Sequence, residues 1–144
     1  MAKKRNNKKK RNTIGRISNN AVKLRTEDWD KQNGRVAFYY ACEKNCQLSD
    51  WHNTELKELI RCFKKIENLT WNDIKTHNGL NYEPISSLAI EPPANIPPDA
   101  SFSSLRVSKE SRLYGFRLED TFYIVWFDKN HIVCPKGKTK HYKI

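Results

Sequence analysis

Six consecutive apolar residues, Phe122-Tyr123-Ile124-Val125-Trp126-Phe127, constrain the fold of this chain more than any other feature. A short run of aromatic and β-branched side chains bounded by turn residues reads as a strand. Side chains alternate across a strand. Phe122, Ile124 and Trp126 are therefore expected on one face, and Tyr123, Val125 and Phe127 on the other. A strand apolar on both faces is central and must be covered on both. The rest of the chain has to supply two covers.

One cover is a helix. Leu56, Leu59, Ile60, Phe63 and Ile66 recur at helical spacing, with Lys57, Glu58, Arg61, Lys64, Lys65 and Glu67 mostly off that stripe. The pattern predicts a helix over 55–69, capped by Asn53 or Thr54. Thr70, three residues before Asp73, predicts a second short helix over 71–77, closed by Asn78-Gly79. The other cover is the stretch 80–101. Pro84, Pro92, Pro93, Pro97 and Pro98 forbid regular structure over most of it. Ile85, Leu88, Ile90 and Ile96 suit a loop packed down by its own apolar residues.

Strands are expected at 35–42 (RVAFYYAC), 104–107, 112–118, 121–127 and 131–134, with turns at Asn33-Gly34, Glu119-Asp120 and 128–130. In the first, Val36, Phe38 and Tyr40 would share a face opposite Tyr39; Trp29 would open the body and Trp51 anchor the segment after it. The fold class is α+β: a short antiparallel sheet, made of a C-terminal meander and an N-terminal strand, against one long amphipathic helix and a second short one.

Charge divides the chain into three. The formal net charge is +11, yet residues 1–25 hold ten of the 27 Lys/Arg and no acid, and 136–144 hold four. That leaves thirteen basic residues against all 16 acids in 26–135, a net of −3. The expected organisation is a disordered basic arm (1–25), one α+β domain (26–135) and a basic C-terminal tail (136–144). Lys3, Lys4, Arg5, Lys8, Lys9, Lys10 and Arg11 make the dense part of the arm. Such an arm binds phosphates by releasing their counterions, or acts only as a solubilising tail. No apolar run approaches the roughly 18 residues of a membrane-spanning helix, and no apolar core follows the basic N-terminus as in a secretory signal. No membrane partner, a cytoplasmic location and reduced thiols are expected.

Chemical motifs are few. Cys42, Cys46 and His52 have ligand types that zinc accepts, with Cys62, His77, Cys134 and His141 as further donors, but no CxxC pair is present. Buried thiols are the simpler expectation, and no metal or other cofactor is assigned. There is no glycine-rich phosphate loop and no HExxH. What remains is a basic and aromatic set in the terminal sheet: Arg106, Lys109, Arg112, Tyr114, Arg117 and His131. Cleavage of RNA needs a cation to hold the charge on the phosphorane and a group to move a proton; the 2′-hydroxyl is the nucleophile. Arg112, Arg117 and His131 are the catalytic candidates, and Arg106, Lys109 and Tyr114 the RNA-contacting ones. As plain alternatives, the arginines are solvated strand residues and His131 is capped by Asp128.

The segment SRLYGFRLEDTFYIVWFDKNHIVCP resembles the C-terminal stretch of a group of small bacterial proteins of largely uncharacterised role. The likeness rests on Arg112, Gly115-Phe116, Trp126-Phe127-Asp128 and His131, and reaches back to VAFYYACEKNC and LKELIRCFKKIENLTWNDI. In layout the chain is also similar to RelE/ParE-type toxins, whose terminal sheet cleaves ribosome-bound mRNA or binds a protein target. That likeness implies an RNA-directed toxin-like protein, with RNA or the ribosome as partner, a cognate antitoxin, and mRNA endonuclease activity as its sharpest form. Set beside it is a non-enzymatic module that binds nucleic acid or protein and carries a basic arm.

Overall fold

The computed structural model describes residues 26–135 and 142–143. Among the described residues, helices α1 (Thr26–Asp30), α2 (Asn53–Asn68) and α3 (Trp71–Thr76) accompany seven strands. The strands are β1 (Arg35–Ala37), β2 (Glu83–Pro84), β3 (Ser87–Leu88), β4 (Phe102–Arg106), β5 (Arg112–Leu118), β6 (Thr121–Asp128) and β7 (Tyr142–Lys143). Five form one sheet in the order β1-β6-β5-β4-β2, and β3 and β7 form a separate two-stranded ladder. The α+β class holds. The sheet is mixed, because β1 runs parallel to β6 while β4, β5 and β6 form an antiparallel meander.

The apolar run occupies β6 as expected, flanked by β1 and β5 and covered on both sides. On one side Phe122, Ile124 and Phe127 pack with Leu59, Cys62 and Ile66 of α2 and Trp71 and Ile74 of α3. On the other, Val125 and Trp126 pack with Tyr114, Phe116 and Phe102, under Leu88, Ile85, Ile90 and Ile96 of the proline loop. Strict alternation put Trp126 with Phe122 and Ile124; the structure corrects this. Tyr114 pairs with Trp126 and Gly115 with Ile124, so Val125 is an extra residue in β6. A bulge of this kind breaks the two-residue period. It sends Trp126 to the loop side and Phe127 to the helix side.

Gly115 stands opposite the bulge. A Cβ there would lie 2.0 Å from the Tyr123 carbonyl oxygen and 3.1 Å from the Ile124 Cα. Gly34 is needed for a similar reason where the chain enters β1: a Cβ would meet Ile66 Cγ2 and Ile74 Cδ1, each at 2.7 Å.

The first strand is shorter than 35–42. After Ala37 the chain turns, with the Ala41 amide donating to the Phe38 carbonyl, and returns to β6 only when the Cys42 amide donates to Val125 O. The turn separates Phe38 from Tyr40. Phe38 lies against Phe63 and Phe127, whereas Tyr40 meets Phe116 and Tyr123. On α2, Cys62 is buried in place of Ile60, which is 52% exposed. The N-cap is His52, whose amide donates to Glu55 Oε1 at 2.8 Å. Trp51 is buried and its indole N–H donates to Phe127 O. Thr70 caps α3 as expected, its hydroxyl accepting from the Asp73 amide.

No strand forms at 131–134. The side chain of Asp128 takes the backbone instead, accepting from the amides of Asn130 (3.1 Å) and Val133 (2.8 Å). The chain therefore curls at the end of β6, and His131 adopts φ 58°. At the chain's end, Leu88 and Ser87 pair with Tyr142 and Lys143. Two residues of the basic tail thus pair with the proline loop, while 1–25, 136–141 and 144 lie outside the described residues. Among the described residues no helix is long and apolar enough to cross a membrane.

Candidate nucleic-acid interface

The terminal sheet carries its basic residues at two separate ends. Arg112 opens β5 opposite Asp128 and beside Arg106. Its Nη1 donates to the carbonyls of Ser108 (2.7 Å), Ser111 (3.0 Å) and Lys109 (3.3 Å). That guanidinium therefore holds the β4–β5 loop closed. Burial and the neighbouring Arg106 push its pKa down, while Tyr114, Glu83 and Asp128 act the other way. His131 lies at the same end, three residues beyond Asp128 and half-buried, and makes no hydrogen bond or ion pair with a described residue.

Tyr114 is buried in the loop-side core, so its ring offers no stacking face. Burial, and then the Asp128 carboxylate, push its phenol well up.

Arg117 is at the opposite end. Five residue steps along the strand separate it from Arg112, about 17 Å at about 3.3 Å each. It faces the helices, paired in register with Phe122. Its guanidinium lies 4.3 Å from the Trp71 ring centroid, and its Nη1 lies 2.6 Å from Asp30 Oδ1 as an ion pair outside hydrogen-bond alignment. Its Nε donates to Glu119 O. The other Asp30 oxygen accepts from Lys75 Nζ at 2.6 Å. Arg117 thus ties α1 and α3 to β5. Arg112 and His131 share one end of the sheet; Arg117 does not join them.

Burial pushes the Asp30 carboxyl up, but Lys75 and Arg117 outweigh it and hold its pKa below the ordinary value of 3.8. A carboxylate with a depressed folded pKa stabilises the fold above its unfolded pKa. The contribution disappears as pH falls through the folded value. Denaturant midpoints measured between about pH 5 and pH 2 should therefore drop more steeply for the natural chain than for Asp30→Asn. Parallel curves would mean that the Asp30 contacts contribute nothing.

Arg106 and Lys109 border two different hollows. Lys109 lines a groove of about 540 Å³ with Glu55, Glu58, Glu110, Ser111 and Lys129. Its charges are mixed, and Lys129 is engaged by Glu55 at 3.6 Å and Asp50 O at 3.0 Å. Arg106 lines a smaller recess beside α2 with Arg61, Lys65 and Gly79. Arg61 and Lys65 lie on the exposed face of α2, off its apolar stripe as expected. A third groove lies between residues 38–45 and the proline loop. Tyr39 at its rim is 78% exposed, and Glu43 and Glu91 outnumber Lys44 along its walls. It is a poor channel for a phosphate backbone.

Two of the thiols, those of Cys46 and Cys62, are packed against the core clusters. Cys46 and Cys62 are pushed up to about 12, foremost by burial. Both stay protonated near neutral pH, when a nucleophile or a metal ligand needs the thiolate. Among the described residues no three of His, Cys, Asp and Glu are placed to share a metal ion. His141 and the arm residues Lys3, Lys4, Arg5, Lys8, Lys9, Lys10 and Arg11 lie outside the described residues. Against models of protein families, curated proteins and solved structures the chain gives no match, so the resemblances described above rest on their quoted residues and layout.

Proposed function

We propose that this chain is a non-enzymatic RNA-binding protein whose folded body carries a basic arm onto the phosphate backbone. The observation that carries the reading is the partition of charge. The body, 26–135, is net −3, and the whole basic excess lies in the two tails. A scaffold with that balance holds nucleic acid through its appendages.

Cleavage has weaker support than binding. RelE-like catalysis would need Arg112, Arg117 and His131 around one phosphate. Arg117 is committed to Asp30 and Trp71, Nη1 of Arg112 is committed to three carbonyls, and the two stand at opposite ends of β5. The expected result is that labelled single-stranded RNA incubated with the full chain stays intact while its anisotropy reports binding. His131→Ala should bind within about twofold of the natural chain, since His131 makes no hydrogen bond or ion pair with a described residue and one such side chain makes a small contribution. Removing residues 1–25 should weaken binding by at least about 100-fold at low salt, because each lost phosphate contact forfeits its counterion release. Specific cleavage products that vanish in His131→Ala would restore the endonuclease reading.

A further inference from the structure

We infer that Cys42 and Cys46 form a dithiol that a low-molecular-weight disulfide oxidises to a bond within the chain. The inference stands apart from the RNA-binding reading and uses no residue of the arm.

The two thiols are set together by β6. Beyond β1, the segment from Cys42 to Cys46 takes over the edge of that strand. The Cys42 amide donates to Val125 O and the Phe127 amide donates to Cys46 O, each at 2.8 Å. Val125 and Phe127 are two residue steps apart, about 6.6 Å at about 3.3 Å each. The two ends of the loop are thus pinned at about the spacing a disulfide spans, with Cα atoms about 4.4–6.8 Å apart. Cys46 takes φ 50°, a left-handed turn that brings its carbonyl back to the strand. Both cysteines are half-buried and pack against the loop-side cluster, so their thiols leave the loop on one side of the sheet. Cys62 belongs to the helix-side cluster; Cys134 is the competitor on the loop side. The Cys42 thiol also adds to the rise in the Cys46 pKa, after burial and Asp128, as a close neighbour does.

Cys42 lines the groove of about 780 Å³ beside the proline loop, which gives a small disulfide access to it. Its thiol loses a proton to solvent, and the sulfur attacks the small disulfide. A mixed disulfide forms and one small thiolate leaves. Cys46 then loses its proton and attacks the Cys42 sulfur, and the second small thiolate leaves. The two thiolates take up the two protons. The chain is oxidised by two electrons, and the small disulfide is reduced to two thiols. Cys46 stays protonated until it reacts, which makes closure slow. A dithiol that the fold does not stabilise as thiolate also gives a bond that resists reduction.

The test equilibrates the full chain in a buffer of reduced and oxidised glutathione, blocks free thiols, and digests with trypsin without reduction. Lys44 lies between the two cysteines, and cleavage after lysine and arginine places Cys42, Cys46, Cys62 and Cys134 in different peptides. The expected result by mass spectrometry is peptide 36–44 joined to 45–57. It should exceed every pairing that involves Cys62 or Cys134 by about tenfold or more, because held geometry raises the effective concentration. The same equilibration in concentrated urea should lower the joined pair by about tenfold or more relative to glutathione adducts, since the unfolded loop no longer keeps the spacing. If glutathione adducts or a pair with Cys134 dominate in the folded chain, the dithiol does not exist. A joined pair equally abundant in urea would overturn the inference as well, since β6 would then have no part in bringing the thiols together.

Discussion

Gly115→Ala is expected to destabilise the domain by about 3 kcal/mol or more, the upper range for forcing extra volume into a packed interior. The new methyl carbon would sit 2.0 Å from the Tyr123 carbonyl oxygen, with Tyr123 C at 2.9 Å and Ile124 Cα at 3.1 Å. All three are backbone atoms of the neighbouring strand, so no rotamer change relieves the clash. The strands must part or the bulge must be lost. Losing the bulge would return Trp126 and Phe127 to strict alternation and exchange the sides on which they are buried. Against a typical total of about 5–15 kcal/mol, the loss is a large fraction of stability. Urea titration followed by tryptophan fluorescence measures it. A midpoint unchanged from the natural chain would show that β5 and β6 do not approach this closely.

Trp71→Ala is expected to cost about 3–5 kcal/mol, as for other fully buried aromatics. Trp71 is fully buried, donates from Nε1 to Asp120 O at 2.7 Å, and lies edge-on to Tyr82 at 5.6 Å. It is also the surface over which Arg117 lies. Removing it opens a cavity beside an arginine and an aspartate, Asp30, that are themselves nearly buried. Trp71→Phe keeps much of the volume and loses the indole N–H, so it should fall between the two. Equal stability of Trp71→Ala and the natural chain would separate α3 from the core.

The centre of the fold was legible because it depends on local residue patterning alone. A run apolar on both faces, a helix with one stripe and a proline-rich loop with four spaced aliphatic residues are enough to put β6 between two covers. β5 at 112–118 was legible for the same reason. The bulge was not, because no residue near Val125 announces it; it depends on which residue of β5 comes opposite, and Gly115 is ten positions away. The expected strand at 131–134 was lost to a side chain. Asp128 looked like part of a turn, yet its carboxylate binds two amides and removes them from any ladder. Arg117 was misread because a charged residue on a strand usually meets water. Its partners, Asp30 and Trp71, are distant in sequence and only the packed chain brings them together.

The account's central claim is that the basic arm carries RNA binding, and the salt dependence of that binding tests it most directly. For the full chain on a single-stranded RNA, log K is plotted against log salt concentration. Each phosphate neutralised contributes about −0.7 to the slope, so engagement of most of the ten basic residues in 1–25 predicts about −5 to −7. A slope shallower than about −2 would mean that only two or three phosphates are held. That result would contradict binding through the arm.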